Sequence, residues 1–256
     1  MKIFSGWYNH TQSHWPKADW VGYAINNHIN WCRSNDFDYN LVASPMLKWS
    51  KLCHDPWSWA FGTFIKFEAM KVFLDNEKFG DIFFWIDLDI APTCNASPND
   101  LLNIGSTVLF APLRYKHNLD DYDGYQCAKM FWSGLQNKTS YNALNTCLFV
   151  MSRQNIINFL NWMNSIYSMD TIEWWNYYKQ KKINIKNEVD NFLKNRDNTN
   201  VDINMVGTEE MLIEDWLHQN NIQFNQYPLA FLTSPDFERP GKYVHYYGSH
   251  KQNYPK

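Results

Sequence analysis

Hydrophobic runs long enough to cross a bilayer are missing: no stretch of the 256 residues approaches the ~18 apolar positions that a membrane helix needs. The opening segment MKIFSGWYNH also lacks the apolar region of a secretory signal. Cysteine is sparse. Cys32, Cys53, Cys94, Cys127 and Cys147 are odd in number, widely spaced and without a CxxC pair. That pattern excludes a disulfide framework or zinc site of recognisable spacing and reads as reduced thiols. Neither sign of charge dominates, with 23 Lys+Arg against 26 Asp+Glu and a formal net charge of −3. A global basic field for nucleic acid or anionic membrane is thereby ruled out. Internal repeats are absent as well. The expectation is a cytoplasmic protein, bacterial or in the cytosol of a virus-infected cell, with no transmembrane segment and no nucleic-acid partner.

Aromatic residues, by contrast, are abundant: 13 Trp, 15 Tyr and 17 Phe make up 18% of the chain. With 45% hydrophobic residues, disorder of the whole chain is excluded. Flat amphipathic side chains suit sugar rings, whose C–H faces pack on aromatic planes while their hydroxyls find polar partners. The plainer reading of the same residues is core packing.

The pattern along the chain predicts one α/β domain, residues 1–256, with a mixed central sheet flanked by helices. KIFSGW at 2–7 reads as a strand, 18–33 as a helix with Trp20, Val21, Ala24, Ile25, Ile29 and Cys32 inward, and 40–44 as a second strand. A long helix is expected over 56–75, capped by Asp55 with Pro56 at its first position. DIFFWIDLDIA at 81–91 reads as a single interior strand stopped by Pro92. Strands at 106–112 and 143–152 and helices at 154–167 and 208–219 follow, with 222–232 and the Tyr-rich tail 242–256 extended. The polar stretch 113–140 reads as a long loop and the Asn/Lys-rich 170–203 as a solvated helical insertion. Residues 1–112 form one half, which ends after the acidic strand, and 113–256 the other.

Two constellations carry chemistry. Asp87 and Asp89 flank Leu88 at the end of the apolar strand, and side chains at i and i+2 of a strand share a face. Two carboxylates emerging together repel unless a cation joins them, and Mg²⁺ or Mn²⁺ takes one or two carboxylates plus phosphate oxygens. The plain alternative is a pair of solvent-facing aspartates capping a loop. In the tail, VHYYGSHK sets His245, Gly248 and Lys251 in the spacing HxxGxxK. An imidazole can complete a metal's coordination, a glycine lets backbone approach a phosphate, and a lysine neutralises its charge.

Together, a strand-end DxD and a C-terminal HxxGxxK resemble glycosyltransferase family 8, on the GT-A nucleotide-sugar fold. The resemblance implies that Asp87, Asp89 and His245 hold Mn²⁺ (or Mg²⁺), while Gly248 and Lys251 meet the diphosphate. ALNTCLFVMS is similar to the family's FNxGVxxx strand, which makes Asn145 a donor-sugar contact, with Cys147 where the family has glycine. TEEMLIE is similar to the family's DQxxLN helix start and places Glu209 and Glu210 near the donor's sugar. Lys66, on the helix before the DxD strand, is a further donor contact. Residues 113–140 and 170–203 have no counterpart.

The function so implied is metal-dependent transfer of a hexose from a nucleotide-diphosphate sugar, UDP being the family's usual carrier, to a glycan or other hydroxyl acceptor with retention of configuration. Glu210 would be nucleophile or stabiliser of the developing cation. Ser5, Gly6, Trp7 and Tyr8, at the carboxyl end of the first strand, are expected to meet the nucleotide base. Two alternatives stand beside this reading. A non-catalytic carbohydrate-binding protein would leave Asp87 and Asp89 structural. A metal-dependent phosphatase of the haloacid-dehalogenase type also uses a strand-end DxD, but on its first strand and with Thr or Val where this chain has Ala91.

Overall fold

Ile3, Phe4 and Ser5 are all fully buried, so the first strand, β1 (Lys2–Trp7), is covered on both faces, as a central strand must be. It pairs in parallel with β2 (Asp38–Ala43) on one side and β3 (Ile82–Ile86) on the other. The long β6 (Asn145–Ser152) runs antiparallel to β3 and to β5 (Val108–Phe110), and β7 (Asn225–Gln226) closes the edge parallel to β5. The order β2-β1-β3-β6-β5-β7 is the expected mixed central sheet. This computed structural model describes residues 1–7, 19–43, 65–110, 145–167, 180, 187–192, 194–195, 209–228, 231–236, 240–246 and 248–255.

Alternation along β3 divides its aromatics between two cores. Phe83 and Trp85 join Phe4, Phe73, Phe149, Phe159 and Trp216 beneath helices α2 (Ile65–Leu74), α4 (Arg153–Tyr167) and α5 (Glu209–Gln219). Phe84 and Ile86 face the other way, against Trp31 and Cys32 of α1 (Asp19–Ser34). Much of the aromatic excess is therefore packing: Phe4, Phe73 and Phe83 meet with ring centroids 5.3 to 6.0 Å apart. Burial of each such ring stabilises the fold by about 1.5–3 kcal/mol. Arg153, where β6 turns into α4, donates to the carbonyls of Phe73 and Leu74 at the end of α2 and to those of Asn76 and Gly80 in the turn that follows.

Two expected elements are corrected. DIFFWIDLDIA is not one strand: β3 ends at Ile86, a turn follows in which the Ile90 N–H donates to the Asp87 carbonyl at 3.0 Å, and β4 (Ile90–Pro92) joins a different sheet. That second sheet has the order β4-β9-β8, with β8 at Leu232–Thr233 and β9 at Tyr243–His245. Nor is the tail extended throughout. After β9 it winds into a 3-10 helix, Gly248–Asn253, and Tyr254 is buried. Of the expected helix over 56–75 the described part is Ile65–Leu74; Asp55, Pro56, the 113–140 loop, most of 170–203, Tyr8, Cys53 and Cys127 lie outside the described residues. Cys32, Cys94 and Cys147 are free thiols. No described helix is long and apolar enough to cross a membrane.

Candidate active site

The turn between β3 and β4 carries both aspartates, and its backbone is held on every side. Beyond the β3–β6 ladder, Asp87 N–H still donates to the Cys147 carbonyl at 2.7 Å. On the far side β4 pairs antiparallel with β9, Ile90 opposite His245, and Tyr246 N–H donates to the Asp89 carbonyl at 2.8 Å. The DxD segment and the tail motif, far apart in sequence, are thus joined by backbone hydrogen bonds. Because the pair sits in a turn, the two carboxylates do not share a strand face as the spacing suggested; they diverge.

Asp89 meets the tail. Its carboxylate lies 2.8 Å from Lys251 Nζ and 3.6 Å from His245 Nε2. Burial opposes its ionisation, yet the Lys251 ammonium, with the His245 imidazole beside it, outweighs this and holds the carboxyl well below the usual carboxylate range. Lys251 Nζ also stands over the Trp20 ring, 5.3 Å from its centroid.

Asp87 meets a different lysine. It accepts from Trp85 Nε1 at 2.5 Å and lies 3.4 Å from Lys66 Nζ. Lys66, on α2 and only 4% exposed, also donates to Thr146 Oγ1 at 3.1 Å and forms a short ion pair with Glu209. Burial acts to lower the Lys66 pKa, but Asp87, Glu209 and Glu210 override it and raise the ammonium above its ordinary value. Glu209 and Glu210 start α5, where negative charge suits the helix dipole. Thr146 holds both: its hydroxyl donates to Glu209 at 2.9 Å and its N–H to Glu210 at 3.2 Å. The second Glu209 oxygen, Oε2, is buried without a hydrogen-bond partner among the described residues.

Four carboxyl groups against two lysines make this cluster acidic. Burial, and then the neighbouring carboxylates, push Asp87 up to about 6 and Glu210 up to about 7, against the pull of Lys66. Such a field attracts cations. The donor types also fit a hard divalent ion, carboxylate oxygens and an imidazole nitrogen. The fold brings Asp89 and His245 together, while Asp87 faces Lys66. Among the described residues no three His, Cys, Asp or Glu side chains are yet gathered into one ligand set.

Other expected site residues fall differently. Ser5 and Gly6 belong to β1 itself. Ser5 is fully buried, with its hydroxyl donating to the Ile86 carbonyl at 2.6 Å, so it has no face to offer a nucleotide. Gly6 leaves room for its neighbours: a Cβ there would stand 2.6 Å from Ile65 and 2.8 Å from Trp85. Trp7 is half-buried and packs edge-on against Trp20 at the tail side of the site. Asn145 Oδ1 accepts from Cys147 N–H at 2.8 Å, a local bond that anchors the start of β6, and Cys147 fits the strand although the family has glycine there. Gly248 opens the 3-10 helix that carries Lys251. Sequence reasoning missed Thr146, Trp85 and His28. His28 lies four residues after Ala24 and four before Cys32, both buried, and that spacing alone places it on the inner face of α1.

No protein-family model matches the chain, and no curated protein matches it in sequence. Among solved structures, a glycosyltransferase involved in glycosylation of the major capsid of PBCV-1 aligns over 98% of this chain and 97% of its own, at 10% identity with a TM-score of 0.52. The galactosyltransferase LgtC, in complex with donor and acceptor sugar analogues, aligns over 97% of this chain and 88% of its own, at 11% identity with a TM-score of 0.49. At such identity the likeness to the capsid-glycosylating enzyme is one of fold. The GT-A architecture expected from the motifs is the architecture the chain has.

Proposed function

We propose that the chain is a glycosyltransferase that moves a hexose from a nucleotide-diphosphate sugar, UDP-linked, to a hydroxyl acceptor such as a glycan. One observation carries the reading: the pairing of β4 with β9 sets Asp89 beside His245 and Lys251, so residues of the DxD and HxxGxxK motifs form one cluster. Its chemistry suits a diphosphate, with an ammonium for the phosphates and carboxylate and imidazole donors beside it.

In this reading the diphosphate lies at the Asp89–Lys251 end and the sugar at the Asp87–Glu210 end. Leaving-group charge builds as the anomeric C–O bond breaks, and Lys251 and the backbone at Gly248 would stabilise it. A divalent cation, Mn²⁺ or Mg²⁺, held by Asp89 and His245 with Asp87, would supply Lewis-acid polarisation of the diphosphate. Lys66 holds Asp87 and Glu209 in place through its two ion pairs. Glu209 Oε2, buried and without a hydrogen-bond partner among the described residues, is suited to accept from a sugar hydroxyl. Glu210, steadied by Thr146 N–H, would face the anomeric centre as nucleophile or as counter-charge to the oxocarbenium, which accords with retention of configuration.

Calorimetric titration of UDP with and without Mn²⁺, on the wild type and on Asp89→Ala, tests this. Mn²⁺-dependent binding lost in the variant is expected, followed by slow hydrolysis of a UDP-sugar. Failure of UDP, and of GDP, CMP and dTDP conjugates, to bind under any condition would remove the reading and leave glycan binding without nucleotide in its place.

A further inference from the structure

Ser5 and His28 take no part in the chemistry proposed above, yet both are fully buried and polar. Each spends its side chain on one end of the aspartate-bearing turn. Ser5 Oγ donates to the Ile86 carbonyl at 2.6 Å, immediately before Asp87. His28 Nε2 donates to the Ile90 carbonyl at 2.6 Å, immediately after Asp89. His28 Nδ1 lies 3.3 Å from the same Ser5 oxygen, so the two side chains pack side by side between β1 and α1 while each gives its proton to its own carbonyl. Tyr254 Oη, from the end of the tail, adds a second donor to the Ile90 carbonyl at 3.2 Å. Between the two points Leu88 is buried among Ala24, Ala91 and Tyr254 and pins the middle of the turn.

We propose that Ser5 and His28 are positioning residues: a two-point clamp on the carbonyls of Ile86 and Ile90 that fixes the aim of the Asp87 and Asp89 carboxylates. The inference rests on the proposed transferase reading for its catalytic consequence, though not for its geometry. The aim of two side chains on a three-residue turn depends on its peptide groups as well as on the contacts that Asp87 makes with Trp85 and Lys66 and Asp89 with His245 and Lys251. Fixing the peptide groups on both flanks removes the freedom by which those carboxylates would swing. Groups that orient ligand-bearing residues from behind typically contribute 10–100-fold to affinity or rate. Burial keeps the His28 imidazole neutral, its pKa drawn down to about 4, so Nε2 is a steady donor across the working range.

The test compares the full chain as wild type, His28→Leu and His28→Gln. Gln places an amide N–H where Nε2 stands and is the conservative variant; Leu fills the space without a donor. The first readout is amide hydrogen exchange followed by peptide mass spectrometry. In His28→Leu faster exchange is expected in the peptide spanning residues 86–92, with peptides from α4 and β6 unchanged, and His28→Gln should return the 86–92 peptide to wild-type exchange. The second is Mn²⁺–UDP affinity, which should fall about tenfold or more in the Leu variant and recover in the Gln variant. Exchange that rises uniformly, or not at all, in His28→Leu overturns the clamp, as does a Gln variant no better than Leu. Should His28→Leu fail to fold, Ser5→Ala supplies the same comparison from the other end of the turn. If wild-type protein binds no UDP while the exchange pattern is as expected, the clamp stands and the transferase reading falls.

Discussion

Asp87 and Asp89 leave the same turn two residues apart, yet each meets a lysine under opposite conditions. Lys66 is shut in at 5% side-chain exposure with Glu209 at 1%, while Lys251, at 19%, reaches Asp89 from the tail beside a half-buried His245. A buried ammonium bound by carboxylates on two sides cannot change partner without leaving a charge unsolvated. A partly hydrated one can. The inner pair is thus built to hold the site's shape and charge, and the outer pair to exchange its partner for an incoming anion.

The largest effect that would break this contrast is on stability. Lys66→Met is expected to cost about 3–5 kcal/mol, because Glu209 and Asp87 lose their buried counter-charge, and urea denaturation reads it directly. Converting Glu209 to Leu in the same chain should restore much of that loss; a single variant as stable as wild type would show the inner pair to be no anchor. Next is Asp89→Ala, expected to lower UDP-sugar turnover by about 10²-fold or more with little change in unfolding midpoint. Lys251→Ala should be milder, roughly tenfold in UDP affinity, corresponding to about 1.5 kcal/mol for one charge-assisted hydrogen bond. If it destabilises the fold as much as Lys66→Met does, the distinction between the two lysines is wrong.

The smallest expected effect is a pH slope. Glu210 has its pKa raised by burial and by Glu209 from 4.5 to about 7. Between those values the folded protein keeps a proton that the unfolded chain has lost, so its share of stability is full below pH 4.5 and falls as pH rises through about 7. Glu210→Gln should flatten that slope in thermal melts across the window while lowering turnover. A steeper slope in the Gln variant would assign the titration elsewhere.

Much of this site was legible in the chain. Residues that make local chemistry by type and spacing, Asp87, Asp89, His245 and Lys251, converge in the fold, and so do Lys66, Glu209 and Glu210. Ser5 turns to the Ile86 carbonyl, because a fully buried hydroxyl takes the nearest backbone acceptor. Thr146 and His28 were invisible for a related reason: their importance lies in which distant carbonyl or carboxylate they reach, and spacing along one element says nothing about that.

What the sequence determined by itself were the elements and their inward faces, since hydrophobic periodicity acts between near neighbours in the chain. It also determined the chemical kinds of group available to the cleft. Only the tertiary structure decided that β3 breaks at Asp87, that β4 leaves to pair with β9, and that one aspartate turns to a buried lysine and the other to an accessible one. Those outcomes depend on backbone hydrogen bonds and burial between segments remote in sequence. The free energy of a turn held by Ser5, His28, Cys147 and Tyr246 together resides in no local stretch of the chain.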